Sequence, residues 1–233
     1  MDDDISVDDA TLRRMCHLFS HDLRNPLAAI VTNLEFAKRM LDDVDEDLAE
    51  AVTDSVIACE VLRRIVANFD LISSTDPERT SLHEIVVQDL VRDVVSKCND
   101  QAEQAELEVN ATGLDARTPI RIDRTRLQLA VENMVANSLQ HAPPGTQIDV
   151  ALEIDGATVT ISVEDDGKPI GAELRAGAST PQMHTMSTRQ PGMRYSRGLG
   201  LLTARLAAQS QGGKLTITER DGRHRLVLIL TSL

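Results

Sequence analysis

Apolar positions in the first 75 residues recur every three or four residues, in two successive stretches. The first stretch contains Met15, Phe19, Leu23, Leu27, Ile30, Leu34, Ala37 and Leu41, and the second contains Leu48, Val52, Val56, Cys59, Leu62, Val66 and Phe69. This spacing predicts two amphipathic helices. Because the acidic segment DDVDED lies between them and is typical of a turn and helix start, residues 1–75 are expected to form an antiparallel helical hairpin.

A single hairpin leaves much of both apolar stripes in contact with water. Each large apolar side chain that stays exposed forgoes about 1.5–3 kcal/mol. A second copy of the hairpin is the expected partner, since four helices can enclose the stripes completely. The pattern therefore predicts a homodimer held together by a four-helix bundle.

After a polar linker at residues 76–82, the pattern changes to the mixture of helices and strands that makes up a second domain, residues 83–233. Helices are predicted over residues 85–105, 123–141 and 198–210, and strands over 106–111 and in two hairpins. The two hairpin turns are predicted at the Asp-Gly dipeptides that begin at Asp155 and Asp221. Because strands and helices do not alternate regularly, the predicted fold class is α+β, an α/β sandwich following the helical hairpin.

Composition excludes several kinds of function. With 37 acidic and 24 basic residues, the chain has a net charge of -13, which disfavours binding to nucleic acid or to anionic membranes. No apolar run approaches the length of a membrane span, and the N-terminus does not read as a signal peptide, so a cytoplasmic location without membrane insertion is expected. The cysteines are scattered and form no CxxC pair, so neither a disulfide framework nor a zinc site is expected.

The segment FSHDLRNPLAAI places polar side chains opposite the apolar stripe of the first helix. On a helical projection His21 points to solvent, Asn25 shares its face, and Asp22 lies at the edge. An exposed imidazole beside a carboxylate is suited to nucleophilic chemistry, with the carboxylate accepting the ring proton. Pro26 removes one helical hydrogen bond and predicts a bend. By position alone, His21 also fits an ordinary surface histidine.

The histidine pair His17 and His21 has a different possible role. On a helix, HxxxH can hold a metal ion. A zinc site normally needs three or four protein ligands, and the sequence offers no third ligand nearby. A metal-binding regulator is therefore the least favoured alternative.

Two motifs in the second domain have the chemistry of a nucleotide site. Asn133 and Asn137 lie one helical turn apart in ENMVANSLQHAP, so their side chains can offer oxygens to magnesium and amide hydrogens to phosphate. In VEDDGKPI, Asp165 ends a predicted strand and can accept a hydrogen bond from the adenine amine. Gly167 would let the backbone approach the base.

A third motif, RGLGLLTARLAAQ, places Gly198 and Gly200 at the start of a predicted helix. The unpaired N–H groups of a helix N-terminus and the positive end of its dipole suit phosphate. Each motif alone is common in proteins without nucleotide.

The segment SHDLRNPL, followed by the helical hairpin, resembles the phosphoacceptor box of bacterial two-component histidine kinases. The resemblance implies that His21 takes the γ-phosphoryl group of ATP and that Asp22 assists its deprotonation. It also implies that Asn25 positions water for dephosphorylation of a partner.

The three motifs of the second domain, in this order, resemble the N, G1 and G2 boxes of the ATP-binding domain shared by histidine kinases, gyrase, Hsp90 and MutL. This resemblance implies that Asn137 coordinates Mg2+ and that Asn133 supports phosphate chemistry. It further implies that Asp165 reads adenine and that Gly198 and Gly200 hold phosphate.

The sequence departs from the family pattern at two positions, Gln140 and Pro169. Gln140 stands where a basic residue is common, and His141 is expected to replace part of the missing charge. Pro169 replaces the second glycine of the DxGxG pattern. The segment 171–197 matches the mobile ATP lid in place and composition, and Arg197 at its end can either contact phosphate or remain solvated.

The resemblance as a whole implies a dimeric protein histidine kinase that uses ATP and Mg2+. It would autophosphorylate His21, pass the phosphoryl group to an aspartate of a response regulator receiver domain, and act as the phosphatase of that regulator. Since no sensor domain is visible, input is expected from a separate sensory partner, unless the chain is a fragment. The alternative is a degenerate phosphotransfer or scaffold protein that relays phosphoryl groups from another kinase, as suggested by Gln140 and Pro169.

Overall fold

The computed structural model describes residues 46–73, 80–167 and 197–231 continuously, together with separate helical positions nearer the N-terminus. These positions are Met15, Asp22, Leu23, Pro26, Ala29, Ile30, Thr32, Asn33, Phe36 and Ala37. The helices are α1 (Glu46–Ser73), α2 (Val87–Gln104), α3 (Arg124–His141) and α4 (Arg197–Gln209). The strands are β1 (Leu82–Val86), β2 (Glu108–Thr112), β3 (Pro119–Asp123), β4 (Gln147–Asp155), β5 (Thr158–Asp165), β6 (Lys214–Arg220) and β7 (Arg223–Thr231).

A five-stranded mixed sheet forms one layer of the second domain. Its strand order is β2-β4-β5-β7-β6, with β2 parallel to β4 and the other neighbours antiparallel. Alternate residues of β4 and β7 are buried, as expected for a sheet covered on one face. Helices α2, α3 and α4 supply the other side of the core. The predicted α+β class is confirmed.

Hydrogen bonds at its first turn fix the start of α3. The Asp123 side chain accepts from the Arg126 backbone N–H at 3.0 Å, which makes Asp123 the N-cap that the sequence predicts. The same carboxylate accepts from the Ser81 N–H at 2.8 Å. The Asp123 N–H donates to Gln211 Oε1 at 2.8 Å. Since α3 carries both asparagines of the N box, this cap sets the register of the candidate site.

Strands β1 and β3 form a small antiparallel sheet that the sequence pattern does not predict. The helix predicted from Ile85 begins at Val87, and β1 precedes it. Both strands have only five residues; β1 lacks apolar alternation, and in β3 the alternation is limited to Ile120 and Ile122. Their pairing joins residues about 40 positions apart, as in the pair Leu82 and Asp123, and a local pattern cannot show such a contact.

Both β-hairpins are present, and their turns differ in detail. In the β6–β7 hairpin Asp221 and Gly222 occupy the turn with φ of 52° and 80°, as an Asp-Gly turn requires. In the β4–β5 hairpin Asp155 pairs with Thr158, so the turn residues are Gly156 and Ala157. The glycine still takes the position of positive φ, 56°.

Helix α1 has two apolar faces. Ala51, Ile57, Ala58, Ile65 and Ile72 on one face are buried. Val52, Val56 and Val66 of the stripe predicted from the sequence are 51%, 53% and 41% exposed. The predicted dimer stays a prediction, and the exposed face is where such a partner would pack. Although α1 has 28 residues, none of the helices in the described parts of the chain is long and apolar enough to cross a bilayer.

The helical region packs against the second domain. Met15, Ile72 of α1, and Leu199 and Leu202 of α4 form one buried apolar cluster. This cluster sets the end of α1 against α4, the helix that begins with the RGLG segment, and α1 also contacts α3. The phosphoacceptor region and the candidate nucleotide site are therefore neighbours in this arrangement.

Candidate functional site

The phosphoacceptor box is described only in part. His21 and Asn25 lie outside the described residues, so their predicted exposure and roles stay predictions. Asp22 is 4% exposed, whereas the helical projection placed it at the edge of a solvent face. Asp22 and Pro26 line a cleft of about 410 Å³ together with residues of α1, α2 and α3, and these helices cover a face that the projection left open to solvent.

This cleft separates the phosphoacceptor region from the nucleotide domain. Its walls include Arg64 on α1, Gln101 on α2, and Ala136 and Gln140 on α3. Gln140, the residue that replaces the basic side chain of the family pattern, therefore faces the helical hairpin. A volume of this size falls in the range of small-molecule sites, about 300–1,000 Å³.

Asn133 is engaged by the helical hairpin. Its carboxamide pairs with that of Asn68 on α1 through two hydrogen bonds, in which Asn68 Nδ2 donates at 3.0 Å and Asn133 Nδ2 donates at 2.7 Å. Asn133 Nδ2 also donates to the Leu129 carbonyl at 2.8 Å. Both side chains are at most 2% exposed. The polar atoms of Asn133 are thus satisfied by protein, and Asn68 is a partner that no motif in the sequence indicates.

An ion pair supports the same contact. Arg63 on α1 donates to Glu132 Oε2 at 2.9 Å, and Gln128 donates to Glu132 Oε1 at 2.7 Å. Burial lowers the pKa of Arg63, but hydrogen bonds to Glu60 and Glu132 outweigh it and raise the pKa overall. Since Glu132 precedes Asn133, the ion pair fixes the same turn of α3 against α1.

Asn137 lies one turn further along α3, and its side chain, unlike that of Asn133, makes no hydrogen bond with the described residues. It is 6% exposed, and both Oδ1 and Nδ2 are buried without a hydrogen-bond partner among the described residues. An unpaired buried polar group costs about 1–3 kcal/mol, so the structure leaves this carboxamide ready for a ligand. A neutral oxygen of this kind suits Mg2+ held largely by the phosphates of a nucleotide. No group of three or more acidic, histidine or cysteine side chains in the described residues offers an alternative metal site.

Asp165, at the end of β5, is completely buried. Its carboxylate accepts from the Ser138 hydroxyl and from the Gly167 N–H, and His224 Nδ1 lies 3.4 Å from Oδ2. Burial alone would raise the pKa of Asp165. The hydrogen bonds from His224, Ser138 and Gly167 reverse this effect and hold the pKa below its ordinary value. The carboxylate is therefore charged at neutral pH although no solvent reaches it, and it can accept from an amine.

Gly167 is required for a steric reason. A Cβ at this position would lie 2.5 Å from Asp165 Oδ1 and 2.9 Å from the carbonyl oxygen of His141. From the sequence, this glycine is expected to let the backbone approach the base. In the structure its first effect is to let the end of β5 meet the end of α3, so that Asp165 and His141 share one corner.

The glycine motif lies at the start of α4, as predicted. Arg197 and Gly198 begin the helix, and Gly200 is buried. The first N–H groups of the helix have no intrahelical acceptor, which suits phosphate. Residues 168–196, which include Pro169 and most of the predicted lid, lie outside the described residues. The lid and the phosphate contacts of Arg197, Gly198 and Gly200 therefore stay predictions.

Two family models match the chain in the order that the motifs predict. The His Kinase A (phospho-acceptor) domain matches residues 11–78, and the histidine kinase-, DNA gyrase B- and HSP90-like ATPase matches residues 122–231. The chain belongs to the sensor histidine kinases. The second model ends within β7 and contains all three nucleotide motifs, so the assignment made from the motifs is confirmed.

Curated relatives carry the same family name. The sensor histidine kinase ZraS of Escherichia coli (strain K12) is 25% identical over 206 residues, which cover 88% of this chain and 42% of that protein. The probable sensor histidine kinase TcrY of Mycobacterium tuberculosis is 30% identical over 207 residues, with 87% and 42% covered. The chain thus spans less than half the length of these sensor kinases.

Solved structures of histidine kinases share the fold. The histidine kinase AdeS of Acinetobacter baumannii superposes with a TM-score of 0.57 at 16% identity, covering 91% of this chain and 98% of that one. Full-length ShkA in complex with AMPPNP gives a TM-score of 0.58 at 18% identity, covering 95% and 46%. These likenesses establish the arrangement of helices and sheet, and the roles of individual residues rest on the geometry above.

Three residues of the site were missed from the sequence. Asn68 lies in a helix whose pattern indicated only packing. Ser138 follows the second asparagine directly, and its contact with Asp165 depends on how α3 packs on the sheet. His224 follows the second Asp-Gly turn and carried no motif, but in the antiparallel register of β5 and β7 it lies opposite Asp165.

Proposed function

We propose that the chain is an ATP-dependent protein histidine kinase that phosphorylates His21 and passes the phosphoryl group to an aspartate of a response regulator. The main support is the Asn137 carboxamide, which is buried without a hydrogen-bond partner among the described residues. It lies on the same helix as Ser138, which bonds the charged carboxylate of Asp165. A site of this composition suits an adenine nucleotide, and the phosphoacceptor box lies in the same chain.

In the proposed reaction an imidazole nitrogen of His21 attacks the terminal phosphorus of ATP. A P–N bond forms, the bond to the bridging oxygen of the leaving ADP breaks, and Asp22 accepts the ring proton. Asn137 and the phosphates themselves would hold Mg2+, and the bound ion would neutralise the phosphate charge. Asp165 would accept from the adenine amine, while His141, Arg197 and the α4 N-terminus would face the phosphates.

The closed contact between α1 and α3 requires a movement before this reaction. While the Asn133 carboxamide is paired with Asn68, both N–H groups of its Nδ2 are donated to protein oxygens, so no amide donor is left for phosphate. We therefore take this arrangement as a resting one, from which the nucleotide domain must separate before it can approach His21. Domain movement of this kind is expected for a reaction that depends on positioning.

The remaining parts of the proposal extend the sequence predictions. The exposed face of α1, with Val52, Val56 and Val66, supports a homodimer. A receiver domain is the proposed acceptor of the phosphoryl group, with Asn25 positioning water in the reverse phosphatase reaction. Sensory input is proposed to come from a separate partner or from a further part of a longer protein. The degenerate relay alternative still rests on Gln140 and Pro169, and the comparisons give it no support.

Labelling with ATP tests the function directly. Purified protein is incubated with magnesium and ATP labelled in the γ-phosphate, beside the variants His21→Gln and Asn137→Ala. Acid-labile, base-stable label is expected on the wild type and absent from both variants. Nucleotide binding without any label on the wild type would favour the relay protein, and equal label on His21→Gln would place the acceptor elsewhere.

A further inference from the structure

His224 lies directly opposite Asp165 on the neighbouring strand. The antiparallel register pairs the two residues across β5 and β7, so their side chains share one face of the sheet. His224 is 2% exposed, and its Nδ1 lies 3.4 Å from Asp165 Oδ2. A histidine buried to this degree beside a completely buried carboxylate needs an explanation, because neither the family motifs nor the phosphate chemistry uses it.

The contact fixes the tautomer of His224. An ionised carboxylate can only accept hydrogen bonds, so an attractive contact requires the proton on Nδ1. In the neutral imidazole, Nε2 is then an acceptor. The structure leaves Nε2 buried without a hydrogen-bond partner among the described residues. The carboxamide of Asn137, next to Ser138 on α3, is likewise buried without a hydrogen-bond partner among the described residues.

The three donors to Asp165 orient its carboxylate but do not fill all of its hydrogen-bond acceptor positions. Ser138 and His224 approach Oδ2, and the Gly167 N–H donates to Oδ1. A carboxylate has about four lone-pair positions, so it retains capacity for one further donor. The corner formed by β5, β7 and α3 therefore presents two acceptors, Asp165 and His224 Nε2, that are not fully used.

We propose that His224 is a positioning and selectivity residue for the nucleotide base, which holds Asp165 by Nδ1–H and makes the pocket prefer a 6-amino purine. This inference rests on the proposed ATP-binding function. A 6-amino group donates two hydrogens and matches a site made of acceptors. A 6-oxo group offers only lone pairs at that position, so it meets the two acceptors without a donor.

Nucleotide selectivity separates this role from a merely structural one. ATP and ITP differ at the 6-position of the base and share ribose and triphosphate, so their affinity ratio reports on the base contact alone. Binding of both, with magnesium, is measured by calorimetry for the wild type, His224→Leu, His224→Asn and His224→Gln. Circular dichroism and thermal unfolding of each variant establish that it is folded. An asparagine amide can replace Nδ1, whereas a glutamine amide reaches the position of Nε2.

Wild-type protein is expected to prefer ATP over ITP by about tenfold or more, the effect of about one well-made hydrogen bond. In His224→Leu the ATP affinity is expected to fall about tenfold while ITP binding changes little, so the preference is lost. His224→Asn should keep most of the preference, and His224→Gln should lose more of it. The comparison of Asn with Gln remains decisive even where the leucine variant does not fold.

Two outcomes would overturn the inference and leave the proposed function intact. One is an unchanged ATP-to-ITP ratio in folded His224→Leu. The other is an equal loss of both nucleotides in every His224 variant, which would indicate a purely structural role. Failure of the wild type to bind either nucleotide would instead overturn the proposed function, and with it the inference.

Discussion

The carboxamides of Asn68 and Asn133 form two reciprocal hydrogen bonds, at 3.0 and 2.7 Å, in a position closed to solvent. One belongs to the helical region and the other to the N box of the nucleotide domain. Under the proposed function, phosphate chemistry at Asn133 requires this pair to break, so the nucleotide domain must first separate from α1. It also gives the resting arrangement a contact that single substitutions can remove.

Replacement of Asn68 by alanine should activate the kinase. The change removes both hydrogen bonds between the two buried carboxamides in the closed state, at a cost of about 1–3 kcal/mol. Because the open state does not bear this cost, the population of open molecules and the initial rate of His21 labelling should both rise, by about fivefold or more. Rapid-quench labelling at saturating ATP measures the rate.

Ser55→Ala is the matched control for this substitution. Ser55 lies on the same helix, and its hydroxyl donates to the Ala51 carbonyl within that helix at 2.8 Å. Its labelling rate should equal that of the wild type. A rate for Asn68→Ala at or below the wild-type value, in folded protein, would argue against a resting role for the carboxamide pair.

Replacement of Asn137 by leucine should stabilise the free protein and abolish nucleotide binding. The wild-type side chain has two buried polar atoms without partners among the described residues, and an apolar side chain of similar size removes that cost. We expect the free energy of unfolding to rise by about 1 kcal/mol and the binding of magnesium ATP to fall below detection. Urea denaturation with and without nucleotide measures both effects.

A loss of stability in Asn137→Leu would mean that Asn137 is a structural residue rather than a ligand. Asn133→Leu gives the contrasting case on the same helix. The Asn133 carboxamide makes three hydrogen bonds, to Asn68 and to the Leu129 carbonyl, and leucine can make none of them. That variant should be less stable than the wild type.

Replacement of Gly167 by alanine should damage the nucleotide corner through a steric clash. The added Cβ would lie 2.5 Å from Asp165 Oδ1 and 2.9 Å from the His141 carbonyl oxygen, distances that Cβ contacts do not tolerate. Either the carboxylate or the end of α3 must shift, so ATP affinity should fall by about tenfold or more. Calorimetric titration with ATP is the measurement.

Gly145→Ala separates this clash from a general effect of glycine replacement. Gly145 has a φ of +78°, and a Cβ there would meet nothing within 4 Å. Its replacement should lower stability by about 1 kcal/mol through backbone strain, with ATP affinity unchanged. Equal affinities of the Gly167 and Gly145 variants would contradict the steric account.

How much of this molecule could be predicted depended on how local each signal was. The nucleotide helix was predicted to within about one residue because its cap, Asp123, and its stop, PPG, lie at its own ends. The small sheet of β1 and β3, and the contacts made by Asn68 and His224, were not predicted. Each joins residues far apart in sequence, and the local pattern around them is too short or too plain to indicate the partner.

The predicted site residues divide in the same way. Asp165 and Gly167 could be placed by the end of a strand and a turn, and both contribute to the same corner in the structure. The pairing of Asn133 with another asparagine could not be foreseen, because a helical projection shows which side chains share a face but not what covers that face. Asp22 was assigned to the edge of an exposed face for the same reason, and it is buried.

Alkylation of Cys98 should report directly on release of α1. Cys98 on α2 lies beneath α1, where it lines a small cavity with Glu60, Arg63 and Arg64. Burial raises the pKa of its thiol to about 11. With this pKa, about one Cys98 side chain in a thousand is a thiolate at pH 8 in the closed state. Alkylation of Cys98 is slow there, because only the thiolate reacts and little solvent reaches it. Peptide mapping after treatment with iodoacetamide should therefore show slow modification of Cys98 and faster modification of the exposed Cys59.

Replacement of Asn68 by alanine tests whether the carboxamide pair controls this access. In Asn68→Ala the rate of Cys98 modification should rise while the rate of Cys59 modification stays constant, because release of α1 uncovers Cys98 and Cys59 is already exposed. Equal Cys98 rates in the wild type and the variant would mean that the carboxamide pair does not hold α1 in place.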